Sequence, residues 1–285
     1  MSSVLVPPKV APATDLASRL HPPVRSRWLR GWRAWVGPGV TTLIGALLRW
    51  PNLGWPRAFV FDETYYAKDA YSMLQHGIEW NWDDKADAAI LAAGGNPAAI
   101  AKVMGDSASY VVHPPVGKWI ISLGEMMFGF TPFGWRFMVC VLGTLVVLMT
   151  AWIAQLLTRS AAVGALAGML MAIDGTAIVL SRTAILDGIL TFLILCSVLC
   201  ILLDYRRVRR RLAAQLQQES AGTRLLLWQV RSPRFGWRPW LWVAGLFLGL
   251  AVATKWSALW HIAFLGLLVL GYGYATRRLV GHSRP

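Results

Sequence analysis

The sequence has little of what a soluble protein of its length needs. Only 15% of its 285 residues are charged, 56% are hydrophobic, and the mean hydropathy is +0.48. This scarcity of charge excludes a soluble domain, because several runs approach the roughly 20 apolar residues that cross a bilayer. Acids are scarcer still: 14 Asp and Glu stand against 28 Lys and Arg. The basic residues lie in short segments between apolar runs, so they indicate membrane topology and contact with anionic lipid, not nucleic-acid binding.

The sequence has only three cysteines, and no cleavable signal peptide is evident. Cys140, Cys196 and Cys200 all lie in apolar stretches, where a lone pair of thiols favours helix contacts over a metal site. Residues 1–33 are Pro-rich and basic and lack the apolar core of a cleavable signal peptide. We expect them to form a disordered, basic cytoplasmic tail.

The apolar runs predict an all-α fold, a polytopic transmembrane helical bundle over residues 34–275. About six spans are expected, at 34–50, 136–157, 160–179, 183–203, 239–254 and 257–275. The run 118–134 is short and is interrupted by Glu125 and Thr131-Pro132. It either crosses or lies along the interface.

The distribution of positive charge decides the path of this run. If 118–134 lies along the interface, one side of the membrane holds 19 of the 28 Lys and Arg. The positive-inside rule makes that side the cytoplasm. A crossing would instead place the arginine-rich run 206–211 outside, so the interfacial helix is favoured.

This topology divides the rest of the chain. Residues 51–135 become one long extracytoplasmic loop that holds nine of the 14 acids. Its Ala-rich part, 88–109, predicts a flexible loop with one short helix. Residues 204–238 become a cytoplasmic loop whose basic helical pattern suits anionic lipid. Residues 276–285 are expected to be a cytoplasmic tail or a truncation point.

Ionisable residues gather at the extracytoplasmic face, where each is costly unless it is paired or solvated. They are Asp62, Glu63, His113, Lys118, Arg136, Asp174, Arg182, Asp187 and Lys255. Two carboxylates could deprotonate an alcohol or bind a metal, and several cations could hold a phosphate. The simplest alternative is structural: Asp174, Arg182 and Asp187 could pair with one another.

Four short motifs in this set carry a family resemblance. They are Phe61-Asp62-Glu63, His113-Pro114-Pro115-Val116-Gly117-Lys118, Ser181-Arg182 followed by Leu186-Asp187-Gly188-Ile189-Leu190, and Lys255-Trp256. Together they resemble the protein O-mannosyltransferase family, membrane glycosyltransferases of the GT-C type. Val116 stands where the family usually has Leu, and Gly188 where it usually has Ser.

The resemblance covers most of residues 34–275 and implies a function. The expected reaction is the inverting transfer of mannose from a polyprenyl phosphate to Ser or Thr hydroxyls of secreted proteins. Those acceptors cross the membrane, which makes the export machinery a further expected partner. The family usually continues through several more spans, so we expect either a fragment or a truncated gene.

The resemblance also implies roles for individual residues. Asp62 is expected to be the general base in preference to Glu63, which could orient the acceptor or a neighbouring cation. Arg136, Arg182 and Lys255 would neutralise the lipid phosphate. His113, Lys118, Asp174 and Asp187 would support the site. No metal ligand is assigned, although a divalent ion with Asp62 and Glu63 stays open.

Two other functions compete with this interpretation. A different lipid-phosphate sugar transferase, such as one adding aminoarabinose to lipid A, has external acids on a similar scaffold. A transporter would spread its charges through the membrane depth and show paired broken helices in two halves. Here the charges gather at one face and no internal repeat is visible.

Overall fold

The structure is a computed structural model that describes residues 13–22, 26–220 and 235–279. Over these ranges the chain is almost entirely helical. The helices are α1 (Ala13–Leu20), α2 (Val36–Arg49), α3 (Glu63–His76), α4 (Ala86–Ala93), α5 (Pro97–Ile100), α6 (Val116–Phe128), α7 (Pro132–Thr158), α8 (Ala161–Ile173), α9 (Gly175–Arg182), α10 (Leu186–Ser220), α11 (Pro239–Val252) and α12 (Ala258–Leu279). Three short 3₁₀ turns lie at Arg27–Leu29, Gly31–Trp35 and Ala101–Val103.

Helix α7 is central to the bundle and packs against α2, α6, α8, α9 and α10. Close approach depends on small residues, as is usual between helices in lipid. A Cβ on Gly143 would lie 2.2 Å from Ser181 Oγ, and one on Gly168 would lie 2.5 Å from Thr41 Oγ1. The bundle is therefore packed through backbone contact as well as through apolar side chains.

Helix length separates the six predicted spans into two groups. In the described ranges α7, α10 and α12 are long and apolar enough to cross a membrane, and α8 with α9 would make a fourth crossing. Helices α2 and α11 have 14 residues each, about 21 Å, against roughly 30 Å of hydrocarbon. A helix lies at the position of every predicted span, but only three or four of these spans are long and apolar enough to cross a membrane.

Two predicted spans have different bounds in the structure. The predicted span 160–179 corresponds to two helices, because the chain bends by 62° between α8 and α9 at Asp174, whose carboxylate caps the second helix. The span 183–203 begins later, at Leu186, and continues to Ser220. The first half of the predicted cytoplasmic loop 204–238 is thus a continuation of α10.

The prediction of a disordered tail over residues 1–33 is also wrong for the part that the structure describes. Ala17 and Leu20 of α1 pack on Val208, Leu212 and Ala213 of α10. Arg, Leu and Ala are good helix formers, and Val208, Leu212 and Ala213 recur at a spacing that gives this stretch of α10 an apolar face, which α1 buries. Residues 1–12 and 23–25 lie outside the described ranges.

The segment between α2 and α7, which we call the cap (residues 51–131), is folded rather than a loop. It contains α3 to α6 and an antiparallel pair of strands, β1 (Trp80–Trp82) and β2 (Met104–Ala108), with Trp80 opposite Ala108. The flexible loop predicted at 88–109 is therefore wrong. Stacked aromatic rings hold the cap on α7, since Phe59 lies 4.7 Å from Trp135 between ring centroids.

Helix α6 supplies the base of the cap. Its 13 residues extend about 20 Å, too short to cross the hydrocarbon core. It ends at Gly129, whose φ of +76° suits glycine, and α7 then begins at Pro132. The second span therefore starts four residues earlier than predicted, and Arg136 lies inside it.

Candidate active site

The acidic pair divides into one buried and one accessible carboxylate. Glu63 is completely buried at the start of α3. Its Oε1 accepts hydrogen bonds from Arg136 Nε and Ala184 N, both at 2.8 Å. Its Oε2 accepts from Arg136 Nη2 at 2.7 Å and from Val60 N at 2.8 Å. Glu63 therefore joins the cap, α7 and the turn before α10.

Arg136 is fully engaged by this arrangement. Besides its two bonds to Glu63, its Nη1 donates to Leu53 O at 3.3 Å and Pro56 O at 3.0 Å. Its Nη2 also donates to Ala58 O at 2.8 Å. These bonds use all five N–H groups of a guanidinium, and the side chain is 1% exposed. The position does not favour the predicted contact with a lipid phosphate.

Arg182, the second predicted phosphate ligand, lies at the end of α9 and is partly exposed. Its Nη1 donates to the carbonyls of Arg49 and Pro51, and its Nη2 to Asn52 O at 3.1 Å. It thereby closes the carboxyl end of α2, where a cation is favourable. No described carboxylate pairs with Arg182, so its positive charge is not neutralised.

A buried arginine on α2 was not predicted. Arg49 is 0% exposed and donates to Met171 O at 3.0 Å, Ala172 O at 2.9 Å and Ser181 Oγ at 3.1 Å. It thus binds the carboxyl end of α8 beside the bend at Asp174. A single arginine at the end of an apolar run is ordinarily an interface anchor, so the sequence carries no signal for this role.

The predicted supporting acid Asp174 has a local structural role. Its Oδ1 accepts from Ala177 N at 2.6 Å, which is an ordinary N-cap of α9. It is exposed and forms no described ion pair with Arg182, and Asp187 pairs with Lys255 instead. The structural alternative, in which these three residues pair with one another, is therefore wrong.

Lys118 is buried and holds the cap together. Its Nζ lies 2.7 Å from Glu79 Oε1 and 3.2 Å from Asp69 Oδ2, and the side chain is 1% exposed. Desolvation raises the pKa of Asp69, and Lys118 opposes that shift. The lysine of the His-Pro-Pro-Val-Gly-Lys motif thus stabilises α3 and β1 and does not reach the site surface.

The same motif docks the cap on the bundle. Val116 N donates to Ala253 O at 2.9 Å. A Cβ on Gly117 would lie 2.6 Å from Leu186 Cδ2 and 2.8 Å from Thr254 Cγ2, so only glycine lets α6 approach so closely. This contact brings His113 beside the first turn of α10 and the end of α11.

The accessible groups gather at this junction. Lys255 Nζ lies 2.8 Å from Asp187 Oδ1, with the lysine side chain 24% and the aspartate 47% exposed. Asp62 is partly exposed, and its carboxylate accepts no hydrogen bond within the described part of the chain. The partly exposed His113 completes the group, and the ring of the buried Tyr66 lies beneath it, 6.2 Å away between ring centroids.

The pKa shifts reflect how closely these groups surround one another. Burial lowers the pKa of His113, Lys255 and Lys118 lower it further, and Asp187 and Asp62 oppose them. Burial raises the pKa of Tyr66 to about 12, with contributions from Asp62 and Asp187. His113 Nδ1 is buried without a hydrogen-bond partner in the described structure. Asp62, Asp187 and Lys255 therefore act on a common space beside His113 and Tyr66.

The predicted site thus separates into two sets. Asp62, His113, Asp187 and Lys255 come together at the junction, whereas Glu63, Arg136 and Lys118 lie in the packed interior beneath the cap. In the described ranges, no group of three or more His, Cys, Asp and Glu side chains is arranged to hold a metal ion. The junction offers an unpaired carboxylate and a cation on the same surface.

Comparison with known proteins agrees with the motifs. A family model described as dolichyl-phosphate-mannose-protein mannosyltransferase matches residues 39–272. The chain is 37% identical over 260 residues to a Mycobacterium tuberculosis protein named polyprenol-phosphate-mannose–protein mannosyltransferase, covering 89% of this chain and 44% of that protein. A Corynebacterium glutamicum protein of the same name is 36% identical over 227 residues, covering 78% and 39%. The chain therefore spans less than half the length of these relatives.

The fold has a solved counterpart. The structure of the S. cerevisiae protein O-mannosyltransferase Pmt1–Pmt2 complex bound to the sugar donor matches with a TM-score of 0.56 and 17% identity. The match covers 94% of this chain and 33% of that chain. It confirms the all-α, polytopic, GT-C-like helical fold of a multi-pass membrane protein. With the matching model over residues 39–272, the chain belongs to the dolichyl-phosphate-mannose-protein mannosyltransferase family.

Proposed function

We propose that this chain transfers mannose from a polyprenyl-phosphate-mannose donor to Ser or Thr hydroxyls of proteins. The names of the relatives at 36–37% identity support the donor and the acceptor class. The observation that carries the proposal is that the unpaired, partly exposed Asp62 and the Lys255–Asp187 pair both lie close enough to His113 to act on its charge. A base for an alcohol and a cation for a phosphate are the two groups that this reaction requires.

Asp62 is the proposed general base. The acceptor hydroxyl gives its proton to the Asp62 carboxylate while its oxygen attacks C1 of mannose from the face opposite the phosphate. The C1–O bond to the phosphate breaks, so the configuration at C1 inverts. Because no described group donates to the Asp62 side chain, its oxygens are available to an incoming hydroxyl.

Lys255 is the proposed partner of the donor phosphate. The mannosyl phosphodiester carries one negative charge, and the polyprenyl phosphate that leaves can carry two. A cation at the phosphate therefore stabilises the departing group more than the bound donor. Asp187 holds Lys255 Nζ at 2.8 Å and fixes its position. Arg182 adds an unneutralised positive charge at the end of α9.

Glu63 and Arg136 are proposed to position the base. Glu63 begins α3 directly after Asp62, and its four hydrogen bonds tie this residue to α7 and to the turn at Ala184. The pair therefore fixes the backbone from which Asp62 projects. Glu63 is expected from the sequence to orient either the acceptor or a neighbouring cation. Its contact with Arg136 supports the second of these roles.

The active surface is proposed to lie on the extracytoplasmic side. The basic residues of α10 lie at the opposite end of the bundle, since α10 runs about 30 Å from Asp187 to Arg206. The positive-inside rule places that end in the cytoplasm. Acceptors would then meet the site as they leave the export machinery, which makes that machinery a proposed neighbour.

Transfer of labelled mannose from polyprenyl-phosphate-mannose to a Ser/Thr-containing peptide tests the proposal. Asp62→Asn should lower kcat about 100-fold or more and leave donor KM and thermal stability unchanged. A peptide with Ala in place of Ser and Thr is the acceptor control. The product should carry the configuration opposite to that of the donor.

Two outcomes of this assay would contradict the proposal. Near-normal transfer by both Asp62→Asn and Glu63→Gln would contradict the assignment of the base. A wild-type chain that bound donor but transferred no mannose would contradict the activity proposed for this chain.

A labelling experiment tests the proposed sidedness. Cysteines placed at 65 and 215 should be labelled from opposite sides of the membrane, and labelling from the same side would overturn the proposed sidedness.

A further inference from the structure

A charged cavity lies at the end of the bundle opposite the candidate active site, about 30 Å along α10 from Asp187. It has a volume of about 250 Å³ and lies where α1, the α7–α8 turn and α10 meet. Arg159, Arg206 and Arg209 line it together with His21. No Asp or Glu is among its lining residues.

The three arginines bind only neutral groups in the described structure. Arg159 Nη2 donates to Pro22 O at 2.6 Å, and Arg206 Nη1 donates to Leu156 O at 3.0 Å. Arg209 donates to Leu20 O at 3.0 Å and stacks over the ring of Tyr205. Arg159 and Arg206 each commit one of five N–H groups to these bonds, so most of their donors have no hydrogen-bond partner in the described ranges, and both residues line a cavity without a carboxylate.

The backbone at Arg159 is unusual for an arginine. It ends α7 with φ of +57°, in the left-handed conformation that glycine normally supplies at this position. A side chain costs free energy in this conformation and persists where the surroundings favour it. The arginine therefore contributes something at this turn that glycine, with its easier backbone, would not.

His21 reports the electrostatic potential of the cavity. Burial lowers the pKa of His21, and Arg159, Arg210, Arg206 and Arg209 lower it further. The arginines thus create a positive potential strong enough to disfavour a further proton. Such a potential attracts an anion.

An apolar cavity adjoins the basic one. It has a volume of about 280 Å³ and is lined by Leu157, Val198, Ile201, Leu202, Tyr205, Leu265, Leu268 and Tyr272. Leu157, Leu202 and Tyr205 line both cavities. A molecule with an anionic head and a hydrocarbon chain would fill both cavities, the head in the basic one and the chain in the apolar one. A small soluble anion would occupy only the basic cavity.

We propose that these joined cavities bind one anionic glycerophospholipid, with its phosphate at Arg159 and Arg206 and an acyl chain along Leu202. Basic pockets between membrane helices bind lipid head groups in this way. The site is separate from the donor site, because the candidate base lies at the far end of α10. The lipid would bridge α7 and α10 where α1 is seated.

Binding to the purified full chain in detergent tests the proposal, measured by native mass spectrometry. The probes are dioleoyl phosphatidylglycerol, dioleoyl phosphatidylcholine, the acyl-free headgroup glycerophosphoglycerol, and inorganic phosphate. The key variant is Arg159→Gly, which removes the charge and suits the backbone conformation; the second is Arg206→Gln. Arg278→Gln, an exposed arginine at the end of α12, is the matched charge control.

Phosphatidylglycerol should bind at least tenfold more tightly than phosphatidylcholine. Arg159→Gly and Arg206→Gln should each weaken the binding of phosphatidylglycerol about tenfold. Arg278→Gln should leave the affinity unchanged, and glycerophosphoglycerol should bind more weakly than the lipid. Unchanged binding in a variant that combines Arg159→Gly with Arg206→Gln, or equal binding of the two lipids, would overturn the proposal. Inorganic phosphate binding as tightly as the lipid would assign the cavity to a free anion instead. If Arg206→Gln fails to fold, Arg159→Gly alone decides the outcome.

Discussion

Removing the negative charge of Glu63 is the most direct test of how the site is built. Glu63→Gln keeps the size and shape of the side chain but leaves the buried Arg136 guanidinium without its counter-ion. The new amide NH₂ would also face an N–H donor, because each Glu63 oxygen now accepts from Arg136 and from one backbone N–H. The substitution therefore creates an unpaired charge and an opposed pair of donors in the interior.

The expected loss follows from the burial of both partners. Glu63 is 0% and Arg136 1% exposed, so solvent can replace little of the lost interaction. Breaking such a buried pair costs about 3–5 kcal/mol in the free energy of unfolding. For a domain of this size that corresponds to a fall in Tm on the order of 10 °C.

The protein carries its own reporter for the measurement. Cys140, Cys196 and Cys200 are all buried and free, so a fluorogenic thiol reagent should label them only on unfolding. Heating the purified protein with this reagent gives the unfolding midpoint. Asp62→Asn is the matched control, because its carboxylate accepts no described hydrogen bond, and it should shift Tm by no more than about 2 °C.

A double-mutant cycle completes the test. Glu63→Gln with Arg136→Met removes both charges, so the double variant should lose clearly less than the sum of the single variants. The reasoning would be refuted if Glu63→Gln melted within about 1 °C of the wild type. Strict additivity of the two substitutions would refute the direct pairing.

Three further predictions concern the donor site, helix packing and pH. Lys255→Met should lower kcat and kcat/KM for the donor about tenfold in the mannose-transfer assay with a smaller change in KM, and Lys255→Arg should recover most of the loss, whereas equal effects of the two substitutions would exclude a charge role. Gly124→Ala should lower Tm by several degrees, because the added Cβ would lie 2.3 Å from Gly134 O, while Gly245→Ala, with open space around it, should not. Because the pKa of His113 is lowered on folding, the unfolded chain protonates first as pH falls below about 6.5, so stability should decline there. His113→Gln should remove part of that decline in midpoints measured from pH 7.5 to 5.5.

The sequence predicts where the apolar helices and the motifs lie, but not which charged side chains are paired in the interior. Periodicity and composition indicate where apolar helices lie, because every residue contributes to them. The roles of Arg136 and Arg49 depend on carbonyl groups of distant turns, which no local pattern reports. The role of Lys118 likewise depends on a distant residue, because Glu79 comes within 2.7 Å of its Nζ only when the cap is folded.

Two misplaced boundaries have a similar origin. Asp174 ended a helix and began another through a capping bond, although its neighbours are apolar enough to continue a span. The arginine-rich part of α10 has the helical pattern that the sequence predicts, but its charge indicates a segment separate from the preceding span, whereas the structure continues the same helix to Ser220. Its apolar face is covered by α1, an element that a Pro-rich, basic composition concealed.

The contacts of Glu63 have a consequence for how the protein is made. Its carboxylate joins residues 63, 136 and 184, which leave the ribosome far apart in time. Until the turn at Ala184 has been synthesised, Glu63 lacks one of its donors and Asp62 lacks a fixed backbone. A nascent chain that has inserted only its first helices would therefore hold the proposed base without the geometry described above. The proposed activity would begin only after α10 has entered the membrane and completed the fold around the cap.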